Sequence, residues 1–433
     1  MSARKTALSL LCKWEEKGTY VNLTLSREEA GSQEEKALLT ALLYGTVERC
    51  ITLDYHLGVI AKRRMADLTP HTRNLLRLGA YQILYLSGIP DFAAVNECVK
   101  LAENRGEASL LNGVLRTLCR EKADLSLPPR EKNFARYLSV KESFPLPLVR
   151  LFLEEYGEAR TESILSAFNR EKGLTLRVNT LKISRADYLA ALQKQGIKAE
   201  PTAHSPFGVR LTESLDPTGL YGFAEGYFFV QDEASQIAAC ALDPQAGQRV
   251  LDLCACPGGK SFSAALLMEN KGQIDAFDLH ESKLSLVTSG AERLGITALK
   301  AETADATLPR PERAGVYDRV ICDVPCSGLG VLGKKPDLRH RDISAIKELP
   351  PLQARILENA ADALAKDGVL VYSTCTLLGA ENRKQVEAFL SLHPEFRACP
   401  FSVGGLSAPD GMLELTPDRD GTDGFFIAKL IRA

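Results

Sequence analysis

Two cysteines stand where a sheet could bring their thiols together. Cys326 lies in the stretch Asp323-Val324-Pro325-Cys326-Ser327-Gly328 and Cys375 lies in Ser373-Thr374-Cys375-Thr376, and each stretch follows an apolar run typical of a buried strand. Both lie downstream of a glycine-rich turn that reads Asp252-Leu253-Cys254-Ala255-Cys256-Pro257-Gly258-Gly259-Lys260. Two thiols delivered by strand ends to one edge of a nucleotide-binding sheet predict covalent chemistry.

The glycine-rich turn has the composition of an adenosine site. Gly258 and Gly259 would let the backbone approach a ligand, and Asp278, at the end of the next strand, could accept hydrogen bonds from ribose hydroxyls. Asp305 would stand at the end of a third strand, where it could bind the adenine amino group. A tight turn without a ligand remains an alternative. A phosphate-binding loop is excluded, because its first glycine would have to stand where the chain has Cys254.

The two cysteines have plainer interpretations as well. A free cysteine at the end of a buried strand is often only a small apolar residue, and this alternative stays open for each thiol taken alone. Asp323, three residues before Cys326, favours a reactive site because it adds a carboxylate. A zinc site could be drawn from Cys254, Cys256, Cys322 and Cys326. Their spacing lacks the usual paired two-residue pattern, so we predict no metal.

The elements that must position these residues lie in the last part of the chain. From about residue 236 onward, strands and helices alternate as in a parallel sheet with crossover helices. Strands are predicted at 249–253, 273–277, 301–303, 319–322, 369–372 and 424–430, with a helix from Ser261 after the glycine turn. This order predicts a doubly wound, Rossmann-like α/β domain over residues 236–433, with ligands beyond the carboxyl ends of the strands.

The rest of the chain predicts two further domains. Residues 1–130 show helical spacing, as in Leu8, Leu11 and Trp14, and end in a proline-containing linker, so we expect an all-α bundle. Residues 131–235 combine that linker with short strands at 174–179, 208–211 and 227–231 and a helix over 185–195. They predict a small α+β domain.

Composition sets limits on the function. The net charge of −2 gives no global support for nucleic-acid binding, so local features must carry that case. The 11 cysteines are an odd number in a chain long enough to fold without disulfides, which favours free thiols in a reducing compartment. No apolar run approaches the ~20 residues of a membrane span. We therefore expect a cytoplasmic protein that does not enter a membrane.

The motifs taken together resemble a known family, the RNA (cytosine-5) methyltransferases of the Nol1/Nop2/Sun type, and within it the bacterial group that methylates 16S rRNA. Besides the stretches quoted above, the resemblance rests on Arg177-Val178-Asn179-Thr180, Gln231-Asp232-Glu233-Ala234-Ser235, Lys335-Pro336-Asp337 and Asp423-Gly424-Phe425-Phe426. Upstream, Ala94-Val95-Asn96-Glu97-Cys98-Val99 and Leu111-Asn112-Gly113-Val114-Leu115-Arg116 resemble the NusB helical RNA-binding domain. The resemblance covers nearly the whole chain.

The resemblance implies a mechanism. Carbon 5 of cytosine is a poor nucleophile, so a thiolate first adds to carbon 6, and the activated ring then takes the methyl group of S-adenosyl-L-methionine. The family pattern makes Cys375 that nucleophile, gives Cys326 a part in product release, and places Asp323 at the amino or ring-nitrogen edge of the base. The residues alone leave open which thiol attacks, since DNA cytosine methyltransferases use the Pro-Cys thiol.

The resemblance also implies the cofactor site, which would consist of Cys254, Ala255, Cys256, Pro257, Gly258, Gly259, Lys260, Asp278, Asp305 and Asp323. Relatives commonly carry alanine at the position of Cys256, and we expect that substitution to affect packing only. Lys260 would lie near the carboxylate of the cofactor or near the reacting base.

The expected substrate is 16S rRNA, naked or in an early small-subunit particle, bound by a monomer. The target base must be unpaired or flipped out to reach a recessed site. Phosphate contacts are predicted for Arg177 and for the pairs Arg63 and Arg64 or Arg73 and Arg77, although a solvated helix face is an equal alternative for each arginine. Two other functions stay open: a tRNA cytosine-5 methyltransferase and a non-catalytic RNA-binding assembly or antitermination factor.

Overall fold

The computed structural model describes residues 2–18, 32–170, 173–213 and 215–433. The chain forms two compact units, one of Met1–Asn169 with Lys335–Ile343 and one of Arg170–Lys334 with Ser344–Ala433. The predicted domain limits at 130/131 and 235/236 stay predictions. The first unit extends past residue 130 and also receives a short segment from the C-terminal half of the chain.

The first unit is helical, as predicted. Its helices are α1 (Ala3–Lys17), α2 (Gln33–Ala61), α3 (Pro70–Tyr85), α4 (Asp91–Val99), α5 (Arg105–Glu121), α6 (Phe134–Glu142) and α7 (Leu146–Phe168). Side-chain caps start several of them: the Thr69 hydroxyl accepts from the Thr72 amide, and Pro70 stands at the first position of α3. Leucines at helical spacing build the core, for example Leu76 and Leu115, which are fully buried.

The second unit contains a small antiparallel sheet. Strands β1 (Thr175–Val178), β2 (Ala199–Pro201), β3 (Gly208–Leu211) and β4 (Phe228–Val230) lie in the order β2-β3-β1-β4, and helix α8 (Arg185–Lys194) joins β1 to β2. Leu176 and Val178 of β1 pack with Tyr188 and Leu192 of α8 in one apolar cluster. The predicted α+β character of this region is confirmed.

The large sheet of this unit carries the predicted catalytic elements. Its parallel strands are β5 (Arg249–Asp252), β6 (Gln273–Asp278), β7 (Leu299–Thr303), β8 (Tyr317–Asp323) and β9 (Leu364–Thr374), and β10 (Phe396–Ala398), β13 (Met412–Leu415) and β14 (Phe425–Arg432) complete it on one side as antiparallel strands. The spatial order is β10-β14-β9-β8-β5-β6-β7, with β13 also paired to β14. A separate hairpin joins β11 (Phe401–Val403) to β12 (Leu406–Ala408).

Helices cover both faces of this sheet. On one face α9 (Glu233–Leu242), α10 (Gly259–Leu267) and α11 (Glu281–Leu294) share an apolar cluster with Val250 of β5. On the other face α12 (Leu349–Ala363) and α13 (Arg383–Leu392) share a cluster with Leu251. Successive residues of β5 therefore enter opposite layers, which explains why the strand reads as a continuous apolar run.

The fold prediction is confirmed in its architecture and differs in detail. The helix predicted from Ser261 begins at Gly259. Strands β2 and β10 to β13 were not predicted; each has three or four residues, and their short segments, such as Ala199-Glu200-Pro201, lack the apolar run that marked equally short strands such as β4. Within the described part of the chain, none of the helices combines the length and the apolar character that crossing a bilayer requires.

Candidate active site

The two predicted thiols meet at the carboxyl edge of the large sheet. The sulfur of Cys326 lies 3.3 Å from the sulfur of Cys375. β8 and β9 are neighbouring parallel strands whose last paired residues are Asp323 and Ser373, so the chain segments that follow them leave the sheet side by side. Both cysteines are free and partly exposed. The sheet thus brings together two sulfur atoms that are 49 residues apart in the sequence.

The immediate surroundings favour the protonated form of Cys326. The hydrogen bond with Cys375, together with burial, raises the pKa of the Cys326 thiol well above its ordinary value. Nearby carboxylates, among them Asp323, act in the same direction because they disfavour a second negative charge. The pair can therefore hold a proton on Cys326, where it lies within hydrogen-bond distance of the Cys375 sulfur.

Asp323 is held from both sides at the end of β8. Lys260 donates to one carboxylate oxygen at 2.6 Å, and the Ser373 hydroxyl donates to the other at 2.7 Å. The Lys260 ammonium is largely buried and lies 5.3 Å from the centre of the Phe425 ring. These contacts fix the orientation of a carboxylate at the same edge of the sheet as the two thiols.

The glycine turn joins β5 to α10. Gly258 has φ 110°, and a Cβ atom at this position would lie 2.3 Å from the Phe262 ring. Asp252, fully buried at the end of β5, accepts from the Ser261 hydroxyl at 2.7 Å and from the Cys254 amide at 3.3 Å. Burial raises the pKa of the Asp252 carboxyl to about 6. The turn is thus built around a buried acid and a position that requires glycine.

The other two predicted carboxylates follow the next strands of the sheet. Asp278 accepts from the Cys256 amide at 3.2 Å with one oxygen and from the His280 amide at 3.0 Å with the other. One oxygen of Asp305 accepts from the amide and the hydroxyl of Thr307, which lowers the pKa of Asp305. A cavity of about 260 Å³ adjoins Asp305 and is lined mainly by apolar side chains, including Phe277.

The four cysteines considered as zinc ligands do not form a ligand cluster in the described residues. The group of potential ligands found there consists of His71, Glu103 and Glu107 of the first unit. Cys254 and Cys322 are instead half-buried and fully buried thiols at strand ends. Burial raises the pKa of each of these two thiols, which disfavours the thiolate form that binds a metal.

Two of the predicted phosphate contacts are wrong. Arg177 is 1% exposed, and its guanidinium lies 4.5 Å from the centre of the Phe207 ring. Arg77 is also buried, and it donates to Asp54 at 2.6 and 2.7 Å. Because both side chains are buried, neither can reach a phosphate. The prediction failed because the sequence alone does not show which face of a strand or helix is covered.

The remaining arginines differ in exposure. Arg73 forms an ion pair with Glu15 at 2.8 Å and donates to backbone carbonyls of Met65 and Leu68. Arg63 and Arg64 are exposed, so their proposed RNA contacts stay predictions.

Two polar residues near the site were missed. Lys334 forms ion pairs with Asp232 and with Asp423, the latter at 2.9 Å. Burial alone would lower its pKa, but the two carboxylates outweigh burial and raise the pKa of Lys334. The motifs around Asp232 and Asp423 were visible in the sequence, but nothing there indicated that one lysine joins them. The second residue, Glu381, contacts Ser327 and Thr376, which follow the two cysteines directly. No motif in the sequence pointed to it.

Family models match three consecutive parts of the chain. The model described as 16S rRNA methyltransferase RsmB/F matches residues 239–431. The NusB family model matches residues 1–120, and a ferredoxin-like domain of RsmF/B-like methyltransferases matches residues 144–218. Each match falls on the region where the sequence predicted the corresponding fold.

Relatives with the same name are similar over their full length. A probable ribosomal RNA small subunit methyltransferase B of Bacillus subtilis is 38% identical over 99% of this chain and 98% of its own length. A protein of the same name from Synechocystis is 38% identical over 100% of both chains. A ribosomal RNA small subunit methyltransferase B of Serratia proteamaculans is 37% identical over 94% of this chain and 93% of its own.

Solved structures show the same fold. The crystal structure of PH0851 is 26% identical, covers 99% of both chains and gives a TM-score of 0.80. A methyltransferase homologue from Pyrococcus horikoshii is 28% identical, covers 70% of this chain and 99% of its own, and gives a TM-score of 0.60.

Proposed function

Because the chain belongs to the family of 16S rRNA methyltransferases RsmB/F, we propose that it transfers a methyl group from S-adenosyl-L-methionine to carbon 5 of a cytosine in 16S rRNA. The observation that carries the choice of cytosine carbon 5 is the 3.3 Å separation of the Cys326 and Cys375 sulfurs at the sheet edge. Two adjacent thiols suit a reaction in which one sulfur bonds to the ring and must later leave it.

In this proposal Cys375 adds to carbon 6 of the base. The new sulfur–carbon bond moves electron density to carbon 5, which can then attack an electrophilic methyl group. The bound cofactor supplies that methyl group. Solvent water then takes the proton from carbon 5. The electrons of that carbon–hydrogen bond restore the double bond between carbons 5 and 6, the carbon–sulfur bond breaks, and Cys375 departs as a thiolate. The protonated thiol of Cys326, 3.3 Å away, can hydrogen-bond the departing sulfur and so favour release.

Asp323 would orient the base. Its oxygens are fixed by Lys260 and Ser373 at 2.6 and 2.7 Å, so the carboxylate is oriented before the substrate arrives. From this position it would accept a hydrogen bond from the amino edge of cytosine and stabilise charge that develops on the ring.

The chain's own residues fit an adenosyl cofactor. The glycine turn at 254–260 precedes a helix that begins at Gly259, and the first backbone amides of a helix have no partner within it, so they can donate to a ligand. Asp278 ends β6 and Asp305 follows the neighbouring strand β7, as ribose and adenine ligands would require. Gly258 allows the tight turn that such a site requires, because its φ is 110° and the Phe262 ring occupies the space that a side chain would take.

The names of the relatives support 16S rRNA as the substrate, and the NusB and ferredoxin-like regions support RNA binding outside the catalytic sheet. We infer a cytoplasmic monomer that acts on naked rRNA or on an early small-subunit particle. Binding must present an unpaired or flipped cytosine to the thiols.

The proposal is tested by incubating the protein with radiolabelled cofactor and total bacterial RNA. We expect label at carbon 5 of a small-subunit rRNA cytosine. The Cys375→Ala variant should give neither product nor covalent adduct, whereas Cys326→Ala should accumulate an enzyme–RNA adduct that survives denaturation. Cys399→Ala is the control, because this partly exposed thiol contacts only its neighbour Pro400 among the described hydrogen bonds.

Other outcomes identify the alternatives. Label on tRNA alone would favour the tRNA methyltransferase, and no label on any RNA would favour a non-catalytic RNA-binding factor. An adduct that persists in Cys375→Ala and disappears in Cys326→Ala would exchange the roles of the two thiols.

A further inference from the structure

Glu381 is a fully buried acid at the end of the loop that follows Cys375. One of its carboxyl oxygens accepts from the Ser327 amide at 2.9 Å and from the Gln353 side-chain amide at 2.8 Å. The other oxygen accepts from the Thr376 hydroxyl at 3.3 Å. Three donors therefore converge on one buried carboxyl group.

Two of these donors come directly after the two thiols. Ser327 follows Cys326, and Thr376 follows Cys375. Their hydroxyl groups also lie 2.7 Å from each other. Glu381 thus connects the residue after one thiol to the residue after the other, across chain segments that share no strand.

The third donor extends this arrangement to the residue before Cys326. The Gln353 amide donates to the Pro325 carbonyl at 2.9 Å as well as to Glu381. Glu381 is itself fixed, because the Tyr372 hydroxyl donates to its backbone carbonyl at 2.6 Å. Both neighbours of Cys326 are consequently held by the same small network.

The charge of Glu381 acts on the thiols as well. The hydrogen bond with Cys375 and burial are the main reasons for the raised pKa of Cys326, and the carboxylate of Glu381 adds to them. A buried negative charge beside the pair opposes the presence of two thiolates. The position of the two thiols and the protonation of Cys326 therefore depend on the same residue.

We propose that Glu381 is a positioning residue for the reaction, which holds the loops of Cys326 and Cys375 so that the two sulfurs face the same ring atom. The proposal rests on the proposed function for its catalytic meaning. The geometry of the thiol pair can be tested without RNA.

The test compares Glu381→Gln with Glu233→Gln. Glutamine has nearly the same shape, but its amide group must replace one acceptor oxygen where donors converge. Glu233 is the matched control, because it is a buried acid of the same unit that accepts from the backbone amides of His204 and Ser205. Thr376→Val is a second variant that removes one donor with little change of volume. Circular dichroism and thermal melting verify that each variant is folded.

The first readout uses diamide, a diazene that takes two hydrogens from a pair of thiols and leaves a disulfide. Peptide mass spectrometry follows the bond between Cys326 and Cys375. We expect it to form about tenfold more slowly in Glu381→Gln and in Thr376→Val, and at the unchanged rate in Glu233→Gln. The second readout is methyl transfer, for which kcat of Glu381→Gln should fall on the order of a hundredfold while KM for RNA stays within about twofold.

The outcomes separate the two proposals. If the unmodified protein labels no RNA but the disulfide rates follow expectation, the proposed function fails and the positioning proposal stands. If folded Glu381→Gln matches the unmodified protein in disulfide rate, the positioning proposal is overturned whatever the RNA results. An equal slowing in Glu233→Gln would also overturn it, because the effect would then be general to buried acids of this unit.

Discussion

The ion pairs of Lys334 allow a quantitative prediction about stability. Asp423 is 3% exposed and its carboxylate lies 2.9 Å from the lysine ammonium, whereas Lys334 itself keeps 31% of its side-chain exposure. Removing one partner of a buried ion pair costs about 3–5 kcal/mol, because the other charge stays buried after it has lost its counter-ion. The partial exposure of Lys334 places Lys334→Met near the lower limit, at about 3 kcal/mol.

The measurement is urea unfolding of the full chain, followed by far-ultraviolet circular dichroism. For an m value of about 3 kcal/mol/M, a loss of 3 kcal/mol lowers the midpoint of the second unit by about 1 M. The fluorescence of Trp14, the one tryptophan of the chain, reports on the helical unit and should show an unchanged transition. The control Lys271→Met removes an ion pair whose side chains are 67% and 68% exposed, so it should cost less than about 1 kcal/mol.

A double variant tests the physical reason. Lys334→Met with Asp423→Asn removes the lysine and the most deeply buried charge that it leaves behind, so part of the lost stability should return. The reasoning is refuted if Lys334→Met shifts the midpoint no more than Lys271→Met does, or if the double variant is less stable by the full sum of the two single effects.

Two further predictions concern the large sheet of the second unit, and a third concerns arginines of the first unit. Burial raises the pKa of Asp252 to about 6 from 3.8, and because this folded-state pKa lies above the unfolded one, the free energy of unfolding falls as pH rises from about 4 to about 6. Over this range the free energy of unfolding from urea titrations should change in favour of Asp252→Asn by about 3 kcal/mol at most. A difference between the two proteins that does not vary with pH would contradict the assignment. Gly258→Ala should abolish cofactor binding in calorimetry because its Cβ would lie 2.3 Å from Phe262, whereas Gly315→Ala, with φ 64° and no atom within 4 Å, should bind normally. Arg63→Ala with Arg64→Ala should weaken RNA binding and flatten its salt dependence if these exposed arginines contact phosphates, and Arg77→Met should leave that dependence unchanged.

The sequence was sufficient for the architecture because the central parallel strands β5, β6, β8 and β9 contain apolar runs, whereas the edge strand β7 has no buried residue. Alternation of buried residues into two helical layers produces such runs, as Val250 and Leu251 show by belonging to different clusters. The positions of Cys326 and Cys375 after two of these strands were enough to predict that they share a sheet edge. Strand order then determined that the two strands are neighbours.

What the sequence did not reveal depends on contacts between distant segments. Arg177 belongs to a strand whose four residues are all buried, so its charge gives no indication of exposure. Glu381 follows no strand end and fits no ligand pattern, and only the approach of the loops around Ser327 and Thr376 gives it three donors. The role of Lys334 likewise depends on its ion pair with Asp232, which lies 102 residues away in the sequence.

Close backbone contact behind the thiols explains why glycine stands at positions 330 and 424. The Gly330 amide donates to the Cys375 carbonyl at 2.9 Å, and the Gly424 amide donates to the Gly330 carbonyl at 2.8 Å. A Cβ atom on Gly330 would lie 1.9 Å from the Gly424 oxygen and 2.8 Å from the Cys375 oxygen. Three chain segments therefore meet at a distance that only glycine permits. Since the same hydrogen bond holds the backbone of Cys375, a side chain at Gly330 would displace the proposed nucleophile, and the separation of the two thiols therefore depends on this glycine.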